Sequence, residues 1–369
     1  MRQAHRYPFL NLLNIFKFTF CILSILILTG CDTSNTNIKN TISSKPISTS
    51  NTSKDSQILK IEETEIMNTI KDLSGNYRVF GSDSEKNASD YLSSKLKKYG
   101  YNVQFQDFKV HEQKRNLLFN DSLDDFFNLN PINSDLKGVG RNIIAKPSNY
   151  SESKKNIYIM AHYDTTKNTV GVYDNATGVS SVIEISRVLK DFSNDNFNLC
   201  FLLFSAEEYF SSGSRYFVSQ LSENEKDNIL GAINIDMVGC TGFKFKDLPQ
   251  IGYPTIRLCP WIKKDPLEKS FNGYFNDKYK VDDLGGVSDD IAFARIGIPT
   301  IYFADENCLS GAEIEEENRQ VQLDSVNPTI IADLSRDIVN FLKDFNIDNF
   351  NKLNSIPDIE KGTFDTQED

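Results

Sequence analysis

The chain has 369 residues, with 40 Lys and Arg against 51 Asp and Glu, and a formal net charge of −11. No basic run is dense enough for a nucleic-acid footprint, which excludes that class. The length suits one large α/β domain or two small ones.

The first thirty residues read as a leader rather than as fold. Arg2, His5, Arg6 and Lys17 supply positive charge, and residues 18–28 form an apolar stretch too short for a comfortable membrane span. That stretch ends in Leu28-Thr29-Gly30-Cys31, which resembles a bacterial lipobox. The resemblance implies a lipoprotein signal peptide at 1–30 and a lipid on Cys31. Such a lipid anchors the protein to the extracytoplasmic face of a cell membrane without spanning it. An ordinary signal peptide or a membrane anchor is the other reading of the same residues. Residues 31–56 are rich in Ser, Thr and Asn and cannot bury enough apolar surface to order themselves, so they are expected to form a flexible tether. Residues 348–369 are polar and acidic and are expected to form a frayed tail.

The folded part is expected over 57–347. Residues 58–73 and 85–99 have helical periodicity, with Gly100 as a C-terminal stop. Residues 101–110 alternate like a strand, and 112–138 read as a long surface loop. Residues 142–146 and 156–161 read as strands, and a helix follows from 177 to 189. Near-continuous apolar runs at 197–205, 232–236 and 300–304 are expected of central strands covered on both faces. Residues 266–275, 288–295 and 328–345 look helical. Strands alternating with helices predict a three-layer α/β/α sandwich with a mostly parallel, mixed central sheet. In such folds ligands bind outside the carboxyl ends of the strands.

That rule gathers the chemistry. His162 ends one strand, Glu207 and Glu208 follow another, and Asp236 ends a third. Asp289 opens the helix before the strand at 300–304. Asp164 lies two residues after His162 and so on the same side, placed to accept the second ring N–H of a metal-binding histidine. Asp174 precedes the helix at 177 and could bridge two metals. Each residue alone has an ordinary reading, as a satisfied core histidine, a helix cap or a solvated helix start. Together, at successive strand ends, they have the geometry of a metal-assisted site. Adjacent residues project differently, so Glu207 and Glu208 are not both expected on one metal. Glu208 is then a ligand and Glu207 a general base. Of the six cysteines, Cys200 reads as core, and Cys240, Cys259 and Cys308 fit no zinc-ribbon spacing. Phe243, Phe245, Tyr253 and Trp261 lie between two motifs, as pocket lining or as core.

The order Ala-His-Tyr-Asp, Asp-Asn-Ala-Thr-Gly, Ser-Ala-Glu-Glu, Asn-Ile-Asp-Met-Val-Gly and Ser-Asp-Asp, with Gly297-Ile298-Pro299 after it, resembles the zinc aminopeptidase family of the bacterial leucyl aminopeptidase type, in peptidase clan MH. Arg78-Val79-Phe80-Gly81-Ser82 resembles that family's N-terminal region. The resemblance implies a co-catalytic di-zinc site that releases N-terminal residues from peptides through a metal-activated water. It implies His162, Asp174 and Asp236 on one zinc, Asp174 and Glu208 on the other, Glu207 as the base and Asp164 behind the histidine. The family closes its second zinc with a histidine just before the final helix. Here Gln320 stands at that place, and the chain's other histidines are His5 and His111. The expectation is one tight zinc and a weak or absent second. Two further readings stand beside the peptidase. One is a degenerate, non-catalytic peptide-binding lipoprotein. The other is a single-zinc glutaminyl-cyclase-like enzyme, a subgroup that keeps the set of ligands damaged here.

Overall fold

The structure is a computed structural model, and it describes residues 60–113, 122–239, 256–259, 265–281, 288–305 and 319–354. The leader at 1–30, the tether with Cys31, and Cys240, Cys308, Phe243, Phe245, Tyr253 and Trp261 lie outside the described residues. So does the tail from 355.

The strands are β1 (Asn102–His111), β2 (Leu136–Lys146), β3 (Lys155–His162), β4 (Phe197–Phe204), β5 (Ile229–Ile235), β6 (Ile256–Cys259), β7 (Lys280–Val281) and β8 (Thr300–Asp305). They form one eight-stranded sheet in the order β1-β2-β4-β3-β5-β8-β6-β7. The pairings β4/β3, β3/β5, β5/β8 and β6/β7 are parallel. Those of β1/β2, β2/β4 and β6/β8 are antiparallel.

Period-two alternation assigns each strand residue to a face. Ile157, Ile159 and Ala161 of β3 and Leu199, Phe201 and Leu203 of β4 join one cluster. Tyr158 and Met160, with Cys200, Leu202 and Phe204, join the other. The first cluster is covered by α1 (Glu63–Leu73), α2 (Asp83–Lys98), α4 (Gly178–Val188), α7 (Pro266–Tyr274) and α10 (Pro328–Lys343). The second is covered by α3 (Leu123–Phe127), α5 (Ser212–Ser219) and α8 (Asp290–Ala294). This is the expected three-layer sandwich. The helix after β3 lies on one face and the helix after β4 on the other. The chain therefore switches sides beside β3, and a crevice opens at the carboxyl ends there.

Several elements escaped the sequence pattern. The stretch read as a surface loop contains α3 and the start of β2, and Phe126 of α3 is fully buried under Arg215. The short helices α6 (Glu223–Asp227) and α9 (Arg319–Asp324) and the strands β6 and β7 were likewise not anticipated. The stretch read as a frayed tail begins with α11 (Ile347–Asn354), whose Phe350 is 1 % exposed and lies 5.6 Å from Phe345. Among the described residues no helix is long and apolar enough to cross a membrane.

Candidate metal centre

β3 ends on His162, and its two neighbours β4 and β5 run parallel to it. Residues just beyond all three strands therefore meet at one edge of the sheet. His162 is fully buried. Its Nε2 lies 3.0 Å from Asp174 Oδ1, 3.4 Å from Asp236 Oδ1 and 3.9 Å from Glu207 Oε2. None of these contacts has hydrogen-bond geometry. Both ring nitrogens, Asp236 Oδ1 and Glu208 Oε1 are buried without a hydrogen-bond partner. His162, Asp174 and Asp236 each offer one donor atom, all within 4.8 Å of one another. Ligands on a tetrahedral ion with bonds of about 2.0–2.1 Å stand roughly 3.3 Å apart. The separations of 3.0 and 3.4 Å from the imidazole fit that edge length.

Asp174 sits in a kinked turn, Val172–Thr177, that joins β3 to α4, with Asp174 and Asn175 outside helical geometry. Its neighbour Asn175 fastens that turn to the end of β5. The Asn175 amide donates to Ile235 O at 3.0 Å, and its Oδ1 accepts from Met237 N at 3.2 Å and Gly178 N at 2.9 Å. Gly178 is required by close approach, since a Cβ there would lie 2.1 Å from Ile235 O. Asp174 and Asp236 are thus held to one another through a single side chain. Asp236 is aimed by Ser288, whose hydroxyl donates to Oδ2 at 2.7 Å and leaves Oδ1 to face the imidazole.

Asp164 is fully buried and lies 3.5 Å from His162 Nδ1. Its firmer bonds go elsewhere. Oδ1 accepts from Glu207 N at 3.0 Å and Oδ2 from Glu208 N at 3.3 Å. One carboxylate therefore sets the turn that presents both glutamates. Ser211 donates to Glu207 Oε1 at 3.4 Å, which leaves Oε2 turned toward His162.

The electrostatics follow from burial. Burial alone would lower the His162 pKa, but Asp236, Glu207, Asp164 and Asp174 outweigh it and hold the ring well above its usual range. Glu207 is raised well above the carboxylate range, first by burial and then by Asp289, Asp236 and Glu208, against the pull of His162. Burial and Asp174 push Glu208 up to about 9. Burial raises Asp289 to about 7, and its two oxygens lack hydrogen-bond partners. Several carboxylates around one imidazole form a donor set for a divalent cation, whose charge would reverse these shifts.

Gln320 lies on the exposed side of α9, where its amide donates to Asp324 Oδ1 at 2.7 Å. That helix is fastened beside the Asp174 turn by Tyr173, whose hydroxyl donates to Gln322 O at 2.9 Å. Gln320 therefore flanks the cluster on a separate helix.

The model of peptidase family M28 matches residues 142–321. That stretch runs from β2 to α9 and contains all the site residues above. Over that stretch, just under half of its length, the chain matches peptidase family M28. Over 105 residues it is 37% identical to aminopeptidase YwaD of Bacillus subtilis (strain 168), covering 28% of this chain and 23% of that one. The first curated relatives are matched over 23% to 50% of their own length. The aminopeptidase from Aneurinibacillus sp. strain AM-1 superposes with a TM-score of 0.59 at 19% identity, covering 76% of this chain and 92% of that one. The glutaminyl cyclase of Porphyromonas gingivalis gives 0.56 at 18% identity, covering 76% and 98%. At such identities what is shared is the fold.

One buried acid lies outside the metal cluster and had no sequence signal. Glu85 of α2 is 3 % exposed and accepts hydrogen bonds from Ser205 Oγ and Gly81 N. Burial, with help from the charge of Asp164, raises its pKa from 4.5 to about 8, although the Ser205 bond works the other way. The folded state therefore binds more protons than the unfolded chain between those two values, and stability falls as pH rises through that window. Glu85→Gln is neutral throughout and should flatten the slope. Its thermal midpoint should drop less between pH 5 and pH 8 than that of the wild type. An equal drop would mean that Glu85 does not titrate there.

Proposed function

We propose that this chain is a zinc-dependent aminopeptidase held by a lipid at the outer face of a cell membrane. The observation that carries the peptidase reading is the cluster of His162, Asp174 and Asp236 with Glu207 Oε2 turned toward the same imidazole nitrogen. The donor set fits zinc, with one imidazole and two carboxylates, imidazole nitrogens and an Asp236 oxygen buried without hydrogen bonds, and tetrahedral spacing. When bound, zinc supplies Lewis acidity toward a substrate carbonyl and toward water.

The chain's own residues do the rest. Asp164 fixes the backbone of the Glu207 turn, and Ser211 fixes its rotamer. Glu207 takes a proton from the attacking water on Oε2 and returns it to the departing amine nitrogen, while the water oxygen becomes part of the new carboxylate. Glu207→Gln should lower kcat by about 10²–10⁴-fold with zinc content unchanged, when assayed on aminoacyl chromogenic amides. Full activity would remove Glu207 from this role. N-terminal glutaminyl peptides in the same panel test the cyclase, and binding without turnover would favour the degenerate binder.

A second ion would rest on Asp174, Glu208 and Gln320. Glutamine offers a neutral oxygen where an imidazole suits zinc. Titration followed by calorimetry should therefore find one tight zinc per chain. Gln320→His should add a second and raise the rate with it. Two tight zincs in the wild type would overturn this assignment.

The lipid reading rests on Leu28-Thr29-Gly30-Cys31 and the polar stretch after it. Cys31→Ala should move the protein out of the membrane fraction. Retention of an uncleaved chain in that fraction would make residues 18–28 the anchor instead.

A further inference from the structure

The motif Arg78-Val79-Phe80-Gly81-Ser82 lies before the matched family segment and contributes no atom to the metal cluster. Its arginine is nevertheless among the largest fully buried side chains, at 1 % exposure. The guanidinium is spread across backbone carbonyls. Nε donates to Tyr163 O at 2.7 Å, and Nη1 donates to Leu73 O at 2.8 Å and Val170 O at 2.7 Å. Nη2 donates to Gly171 O at 3.0 Å. The backbone of Arg78 repeats the grip. Its N–H donates to Thr165 Oγ1 at 2.9 Å, and its carbonyl accepts from Thr165 N at 3.2 Å.

These acceptors are not scattered. Tyr163 is the residue after His162. Val170 and Gly171 lead into the turn that carries Asp174, and the Gly171 carbonyl also accepts from Ala176 N at 3.1 Å, beyond Asp174. One fork of nitrogens therefore ties both ends of the irregular segment 163–171 to the end of α1. That segment has no sheet or helix to hold it. The fit is close. Gly171 has φ +60°, and a Cβ on it would lie 2.8 Å from Arg78 Nη2, 2.4 Å from Thr165 Cγ2 and 2.3 Å from Asp174 O.

We propose that Arg78 is a positioning residue that sets the distance between His162 and Asp174 and thereby the metal affinity of the site. This rests on the reading of His162, Asp174 and Asp236 as the ligands of a tight ion. Arginine suits the task for two reasons. It stays charged at every working pH, and its planar fork can serve carbonyls in several directions at once. Lysine keeps the charge but places all three donors on one atom, so it cannot reach Tyr163, Leu73, Val170 and Gly171 together. The segment would then gain freedom, and the Asp174 carboxylate would be delivered to the imidazole less often in the ligating geometry.

The test measures zinc affinity by chelator competition and thermal unfolding with and without zinc, on wild type and Arg78→Lys. Loss of a group that only supports ligands typically weakens metal binding by roughly 10–100-fold, and that fall is expected here. The rise in thermal midpoint on adding zinc should shrink with it, because ligand-linked stabilisation follows affinity. A purely structural role would lower the midpoint of the metal-free and zinc-bound forms equally and leave the affinity unchanged, and that result overturns the proposal. If Arg78→Lys does not fold, Thr165→Val decides. It keeps the shape but removes the hydroxyl that accepts from Arg78 N and donates to Thr166 O, and a roughly fivefold weakening is expected. Unchanged zinc affinity in that variant also overturns the proposal. A wild type that binds no zinc would instead sink the ligand assignment itself.

Discussion

The structure turns on a concentration of carboxylates around one buried imidazole. Asp164, Asp174, Glu207, Asp236 and Asp289 all bear on His162, and Asp164, Asp236 and Asp289 are buried with it. Burying charge is costly unless it is paired or bound to a metal. The fold meets that cost with fixed donors. Backbone amides hold Asp164, a serine hydroxyl holds one oxygen of Asp236, and an asparagine amide ties the Asp174 turn to β5. Each of these leaves an oxygen or nitrogen facing a common point.

Such an arrangement needs a rigid base, and the parallel strands provide it. β4 and β5 are buried along their whole length, and β3 from its second residue on, with side chains packed above and below. Their carboxyl ends have little freedom to drift. The switch of helices from one face to the other beside β3 opens the crevice at that same edge. The catalytic groups of the proposed peptidase thus sit where the sheet is stiffest but the covering layers part.

Much of this could be read in the sequence because strand ends are easy to locate. An apolar run that stops at a histidine or an acid marks both the strand and the site, as at His162 and Asp236. The kinked turn at Asp174 was legible only as the residue before a helix, since Asn175 and Gly178 act through backbone contacts with β5 that lie far away in sequence. Short elements were missed for a related reason. α3 and α9 are too brief to show a period, and Phe126 and Gln322 are buried only because distant strands and turns cover them. Glu85 and Arg78 gave no signal as buried groups. An arginine or glutamate in a polar stretch reads as surface, and what buries them is the docking of the N-terminal helices against loops from the other side of the sequence.

The two halves of the site differ in what holds them, and that difference bears on the glutamine at 320. His162 and Asp236 stand at the ends of central strands, with the Asp174 turn clasped between them. Asp236 accepts from the buried Ser288 hydroxyl and Asn175 donates to the buried Ile235 carbonyl, and removing such a partner typically costs about 1–3 kcal/mol. Gln320 stands on the exposed side of a short helix that is fastened to the Asp174 turn through Tyr173 and the Gln322 carbonyl. A substitution at 320 changes a donor atom without unsatisfying the interior. The fold therefore tolerates a change of side chain at 320 more readily than at Asp236 or Asn175.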